Sequence, residues 1–293
     1  MQNKPWTMKH GFLIGGIIIA AGLALQVSAG PVAWHTLAWP MNGIVLAVFL
    51  AVIAAIYLLR KRIYACRFIG TAQASIPTLL YAVALTIGMG LTRQEPHGKW
   101  LSDALTCWPF VLIYVYMTLQ LGVIIVRRLM HLTVWQRDIP FLLNHLGLFV
   151  ALTTGTLGNA DMQRVKMVTT TGMPEWRAME GSMIKEMPMT IELKQFIMET
   201  YDDGSPKRYA SELLIKTQKG ESVQAVVDVN KPFEIDGWKI YQYGYDTEAG
   251  AKSQISILEL VSDPWLPLVY MGIYMMLAGA VCLFIIGGRR KRV

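Results

Sequence analysis

The residue with the clearest chemical potential is His145, which lies inside a long apolar run at residues 140–157. An ionisable group within a membrane span is costly, so it is by default a candidate for function. A neutral imidazole has a ring nitrogen that can bind iron axially, and no other side chain in this run is suited to that role. Alternatively, the histidine hydrogen-bonds a neighbouring helix or reaches toward the headgroups. Spacing alone leaves both interpretations open.

The remaining histidines and the cysteines form no recognisable site. The other histidines lie at span margins and in loops, where solvated side chains are expected: His10, His35, His97 and His131. The three cysteines are scattered, odd in number and without CxxC or metal-ligand spacing: Cys66, Cys107 and Cys282. We therefore assign no catalytic residue, and the chain is not expected to be a dithiol reductant itself.

The elements that position His145 are predicted to be membrane helices. Apolar residues make up 54% of the chain, too many for a wholly soluble protein. Six apolar runs are long enough to cross a bilayer core of roughly 30 Å. They cover residues 11–29, 42–59, 76–92, 106–126, 140–157 and 266–287. The first run has the basic flank of a signal peptide, but its length and the closely following second run favour a retained helix.

Positive charge gives the orientation of these helices. The net charge is +7, and the basic residues cluster beside the predicted spans. The clusters are Lys4 and Lys9; Arg60, Lys61, Arg62 and Arg67; Arg127, Arg128 and Arg137; and Arg289 to Arg292. Six crossings with both termini in the cytoplasm place every cluster inside, as the positive-inside rule requires. The charge therefore indicates topology, and we expect no nucleic-acid partner.

A polar segment between the fifth and sixth spans is predicted to be an outer domain. The expected boundaries are 1–157 for helices one to five, 158–264 for the domain, and 265–293 for the last helix and its basic tail. Turn signals alternate with β-branched or alternating runs at residues 189–197, 208–217, 222–229, 238–245 and 254–261. This pattern predicts an antiparallel sheet or small sandwich. The segment has no histidine or cysteine, so metal or hydrolytic chemistry is not expected there.

Several motifs, taken in order along the chain, resemble the ResB (CcsB) family of system II cytochrome c maturation. They are residues 102–110, Asn144-His145-Leu146-Gly147, residues 229–246, Asp263-Pro264-Trp265 and Tyr270-Met271-Gly272. The resemblance runs from the third span to the C-terminus, although residues 155–181 fit the family pattern only loosely. The fold it implies is a polytopic α-helical membrane protein with an extracytoplasmic β-rich domain between helices five and six.

The resemblance implies a function and partners. Such a protein works with a CcsA (ResC)-type membrane partner in the bacterial cytoplasmic membrane to move haem outward and attach it to CxxCH motifs of apocytochrome c. A thioredoxin-like thiol reductant is a further candidate partner. His145 matches the family's transmembrane histidine, an axial ligand to the iron of haem b, which is a transported substrate shared with the partner. The chain lacks a Trp-Trp-Asp motif, so it is expected to be a subunit of a holocytochrome c synthase rather than the whole machine. Whether that subunit is itself catalytic stays open.

Two other function classes compete with this hypothesis. In the first, the chain is a membrane-anchored scaffold or sensor whose outer domain binds a protein without haem. In the second, it is a small-solute transporter, although the first four spans have almost no polar residues to line a pathway. Substitution of His145 separates the haem hypothesis from the scaffold hypothesis.

Overall fold

The computed structural model describes residues 5–95, 100–203 and 205–290. His97, Lys4 and the basic residues 291–292 lie outside the described residues. The chain divides into two compact units, which are described separately. The first is Met1–Asp161 together with Trp265–Val293, and the second is Met162–Pro264.

The first unit is a helical bundle. Its helices are α1 (Met8–Ala29), α2 (Met41–Leu59), α3 (Tyr64–Ile69), α4 (Ala72–Leu91), α5 (Trp108–Leu129), α6 (Trp135–Gly158) and α7 (Leu266–Arg290). Six helices in the described part of the chain are long and apolar enough to cross a membrane, which confirms the predicted polytopic class. The short helix α3, in the basic segment after α2, was not predicted.

Helix α6 begins earlier than expected. The apolar run begins at Pro140, but the helix starts at Trp135 and Pro140 lies inside it. Proline is tolerated there because a membrane helix can satisfy the freed carbonyl in other ways. His145 is therefore about 15 Å along the helix from its start at Trp135, and about 7 to 8 Å from Pro140, where the apolar run begins, at 1.5 Å per residue.

Two contacts hold α6 in the bundle. On one face it packs with α2 and α5 around a buried cluster that includes Ile53, Val123 and Phe149. On another face Gly147 meets Gly272 of α7 so closely that a Cβ on Gly147 would lie 2.5 Å from the Gly272 carbonyl oxygen. Small residues allow such close approach of helices in membranes, so these two glycines set the α6–α7 distance.

The second unit is one antiparallel sheet of eight strands, which confirms the predicted β-rich domain. The strands are β1 (Gln163–Thr170), β2 (Pro174–Glu180), β3 (Met183–Thr200), β4 (Pro206–Thr217), β5 (Ser222–Asp228), β6 (Phe233–Ile235), β7 (Trp238–Tyr245) and β8 (Ile255–Ser262). Their order across the sheet is β5-β4-β3-β2-β1-β8-β7-β6. The five predicted runs correspond to β3, β4, β5, β7 and β8, whereas β1, β2 and β6 were missed.

The sheet encloses its own apolar core. Alternate residues are buried along β1 and β8, as period-two side-chain alternation requires. Val165, Met167, Leu258 and Leu260 are at most 1% exposed. Strand β5, at one edge, also packs against β7 near the other edge, so the sheet curls over this core. The unit is thus held together without a disulfide.

Candidate functional site

His145 lies half-buried in α6 with one ring nitrogen engaged by the helix itself. Its Nδ1 is 2.8 Å from the carbonyl oxygen of Phe141, one turn earlier. A carbonyl oxygen can only accept, so Nδ1 carries the proton and donates. In the neutral ring Nε2 then has the lone pair, and it has no hydrogen-bond partner among the residues that the structure describes. A metal-binding histidine is typically held this way, by a backbone carbonyl on the other nitrogen.

The Phe141 side chain fixes the plane of the imidazole. The two rings stack with centroids 3.8 Å apart and planes inclined by 19°. The guanidinium carbon of Arg128, at the end of α5, lies 5.1 Å from the centroid of the same Phe141 ring. Phe141, in the preceding turn, therefore provides both the hydrogen-bond acceptor for the imidazole and the ring that stacks on it. These two contacts limit the directions in which Nε2 can point.

A buried ion pair stabilises the start of α6 beside this stack. Asp138 is 1% exposed, and its Oδ2 accepts hydrogen bonds from the backbone N–H groups of Thr133 at 2.7 Å and Val134 at 2.9 Å. Its Oδ1 lies 2.5 Å from Nη2 of Arg128, an ion pair without directed hydrogen-bond geometry. A carboxylate in the first turn of a helix also interacts favourably with the helix dipole. Asp138 thereby ties the α5–α6 turn to Arg128.

The helix periodicity places His145 away from the contact that Gly147 makes with α7. Gly147 faces α7, and two residues along an α-helix correspond to a rotation of about 200°. His145 therefore does not lie on the Gly147 side of α6, although its neighbour Asn144 lies against Gly279 of α7.

A cavity of about 260 Å³ lies along the other half of the α5–α6 pair. It is mainly apolar, with Trp34, Phe110, Tyr114 and Thr156 among its lining residues, and His145 does not line it. The Tyr114 hydroxyl donates to the Leu152 carbonyl at 3.1 Å and accepts from the Thr156 hydroxyl at 3.1 Å. These polar groups satisfy each other, so the cavity has no evident ligand-binding set of its own.

The other described histidines serve local structure or lie in exposed segments. Nδ1 of His10 accepts the backbone N–H of Thr7 at 3.0 Å at the start of α1, and its ring stacks on Trp6. His35 lies in the α1–α2 loop and His131 is exposed after α5. Among the described residues, no group of three histidine, cysteine or acidic side chains could hold a metal ion. Cys107 is buried.

A polar cluster surrounds Asp161, just after α6, and was not predicted from the sequence. Its carboxylate accepts hydrogen bonds from the Trp39 backbone N–H at 2.7 Å, Asn42 Nδ2 at 2.7 Å and Trp265 Nε1 at 2.6 Å. Burial acts to raise the pKa of Asp161, but these three bonds outweigh it and hold the pKa below its ordinary value. The only sequence signals were an asparagine at the edge of one span and an acid at the edge of another.

Comparison with known proteins gives one family match. Residues 135–257 match the model of the ResB-like family, from the first residue of α6 into β8, and the matched region contains His145. No curated protein matches. A solved structure titled "Cytochrome c Heme Lyase CcmF" aligns with a TM-score of 0.40 and 13% identity. That alignment covers 96% of this chain and 46% of the other chain. At so low a similarity, we draw no conclusion about fold or function from it.

Proposed function

We propose that the chain serves cytochrome c biogenesis as a haem-binding membrane subunit, and the match of residues 135–257 to the ResB-like family supports this proposal. In this proposal haem b is the cargo. His145 supplies one axial ligand to its iron, and a histidine of a CcsA (ResC)-type membrane partner supplies the other. The haem is then held between two proteins.

One observation carries the assignment of His145. The Phe141 carbonyl takes the proton-bearing nitrogen of the ring, 2.8 Å away, and so leaves Nε2 for iron. The Phe141 ring and Arg128 restrict the plane of the imidazole before haem arrives. Preorganisation of this kind reduces the ordering that binding would otherwise require.

In the same proposal the β-rich unit acts on the outer face of the bacterial cytoplasmic membrane, with both termini in the cytoplasm. It holds the apocytochrome or braces the partner, so that the cysteines of the CxxCH motif meet the haem vinyl groups. Orientation is the main service a protein gives to such a bond-forming step. The absence of histidine and cysteine from residues 162–264 favours holding over chemistry. Deleting this unit should abolish cytochrome c maturation, and normal maturation without it would refute this part.

The deciding experiment is a visible absorption spectrum of the chain purified in detergent together with its CcsA-type partner. We expect a low-spin b-type haem spectrum for the wild type and a weakened or altered one for His145→Ala. His131→Ala, in the exposed loop after α5, is the matched control and should keep the wild-type spectrum. If the signal survives His145→Ala unchanged, the ligand lies elsewhere. Haem missing from every sample would favour the scaffold hypothesis.

A further inference from the structure

We propose that the tip of the β2–β3 hairpin, residues 179–184, inserts its apolar side chains into the surface of the lipid bilayer. Three large apolar residues are exposed there: Met179 at 50%, Met183 at 68% and Ile184 at 72%. Consecutive residues of a strand point to opposite faces, so exposure of both Met183 and Ile184 means that neither face of the tip is covered.

The turn itself is built for a tight, projecting tip. Glu180 pairs with Met183, which leaves only Gly181 and Ser182 to reverse the chain. Gly181 has a φ of 61°, a conformation that glycine adopts without steric cost and that two-residue hairpin turns require. Strand β3 pairs with β4 only from Met189 onward, so residues 183–188 extend beyond β4. At about 3.3 Å per residue this extension is roughly 20 Å long.

The tip lies at the end of the sheet that is joined to the membrane helices. Strand β1 begins at Gln163, which is paired with Ser262 at the end of β8. Lys185 Nζ lies 3.0 Å from Gln163 Oε1, and this contact places the hairpin tip beside the same strand ends. Helix α6 ends at Gly158 and α7 begins at Leu266, so both strand ends continue within a few residues into membrane-spanning helices. The hairpin tip is thus held within reach of a bilayer surface by short covalent connections.

Most of the charges around the tip are neutralised within the hairpin itself. The basic residues around the tip already have acidic neighbours: Lys185 is 3.4 Å from Glu180, and Arg177 is 2.9 Å from Glu175. Exposed Glu186, next to Lys185, adds one acid, so residues 175–186 carry one net negative charge beside the apolar surface of the tip. Apolar side chains of this kind bury about 5–10 Å into the boundary between headgroups and acyl chains. Two of the three are methionines, whose flexible thioethers adapt to irregular surroundings.

The test is a fluorophore on the tip of the full chain in phosphatidylcholine nanodiscs. Met183→Cys carries the label, and Met173→Cys is the matched control. Met173 lies in the β1–β2 turn at the opposite end of the sheet, and its 65% exposure is close to the 68% of Met183. Wild-type chain treated with the same label gives the background from the three native cysteines. We expect a nitroxide on the lipid to quench the label at 183 several-fold more than at 173, and aqueous iodide to show the reverse.

Two further measurements make the result decisive. Adding Ile184→Asp to the labelled Met183→Cys chain should raise iodide quenching toward the value at position 173. Replacing part of the phosphatidylcholine with phosphatidylglycerol should lower the lipid quenching only slightly, because the tip region carries a single net negative charge. Equal quenching at 183 and 173 would overturn the proposal. So would protection of position 183 that appears only with a bound membrane partner, since the occupant would then be protein. None of these outcomes depends on haem, so the proposed function is tested separately.

Discussion

The Nδ1 atom of His145 and the carbonyl oxygen of Phe141 form a 2.8 Å hydrogen bond within one turn of α6. Because the acceptor belongs to the backbone, this bond is part of the helix and persists whatever side chain stands at position 141. The stacking of the two rings, by contrast, depends on Phe141 itself. Protonation of Nδ1 is therefore set by the fold, and the plane of the ring is set by one side chain.

If Nε2 of His145 binds haem iron, removing the side chain should leave a space that free imidazole can fill. We expect His145→Gly to lose the low-spin spectrum and millimolar imidazole to restore it. The loss should exceed the roughly tenfold effect typical of disturbing only a ligand's hydrogen-bond partner. Absorption titration of the copurified complex is the measurement, with His131→Gly as control. Failure of imidazole to change the spectrum of His145→Gly would count against axial ligation.

The buried pair of Asp138 and Arg128 should be strongly coupled. Asp138→Asn leaves the partly buried guanidinium of Arg128 without its nearest counter-charge, so this variant should be clearly less stable than the wild type. We expect the double variant Asp138→Asn/Arg128→Gln to lose less stability than the sum of the single variants. Thermal unfolding in detergent gives the comparison. Arg137 Nε also lies 3.5 Å from the same Asp138 oxygen, but its side chain is 59% exposed, so Arg137→Gln should change stability far less than Arg128→Gln. Additive single effects would show that the pair is not coupled.

Two glycines of α6 provide a matched test of the α6–α7 contact. A Cβ at Gly147 would lie 2.5 Å from the Gly272 carbonyl oxygen, whereas one at Gly155 would meet Val269 Cγ2 at 3.8 Å. Gly147→Ala must therefore push the helix backbones apart, at a cost of about 1–3 kcal/mol. Gly155→Ala should be neutral or slightly stabilising. Size-exclusion chromatography after a heating series measures how much protein remains monodisperse. This amount should fall only for Gly147→Ala. Equal behaviour of both variants would contradict the close contact.

The β-rich unit should lose stability in acid through Glu175. A hydrogen bond from the Arg177 side chain, with backbone bonds and its charge, lowers the pKa of Glu175 from 4.5 to about 2. A depressed folded-state pKa adds stability that is complete above 4.5 and is lost as pH falls toward 2. Solvent around the half-exposed Arg177 limits the effect to on the order of 1 kcal/mol. We expect the free energy of unfolding, measured with denaturant at pH 7 and pH 3, to differ less between the two pH values for Glu175→Gln than for the wild type. Glu221→Gln, in the exposed β4–β5 turn, should retain the wild-type difference.

The membrane spans were predictable because burial in lipid demands long apolar runs and leaves basic residues at helix ends. Their limits were less predictable. The apolar run begins at Pro140, but the hydrogen bonds of Asp138 extend α6 back to Trp135. The sequence alone does not show that Asp138 and Arg128 form a buried pair, since both lie near a loop rich in charge. Only the packing of α5 against α6 brings them together.

The missed strands show a second limit. Strand β1 alternates charged and apolar residues, such as Arg164, Val165 and Lys166, and lies so close to a span that its pattern is easily assigned to a linker. Strand β2 is short and begins with a proline, a residue that a strand accepts at its first position but that does not itself indicate a strand. Pairing with β8 and β3 nevertheless makes both segments strands. For His145 the sequence left two roles open, iron binding and structural hydrogen bonding. In the structure Nδ1 forms a hydrogen bond with the Phe141 carbonyl oxygen, and Nε2 does not take part in that bond.

The carboxylate of Asp161 also affects the order in which the chain can assemble. Its three donors lie 122, 119 and 104 residues away, in Trp39, Asn42 and Trp265. Trp39 and Asn42 have been synthesised before Asp161, but Trp265 follows only after the whole β-rich unit. During synthesis the partly exposed Asp161 can first bind only the donors from Trp39 and Asn42, and the residue that begins the last segment supplies the third. The cluster thus couples closure of the helical unit to completion of the chain, and a product that stops before α7 lacks the hydrogen bond from Trp265.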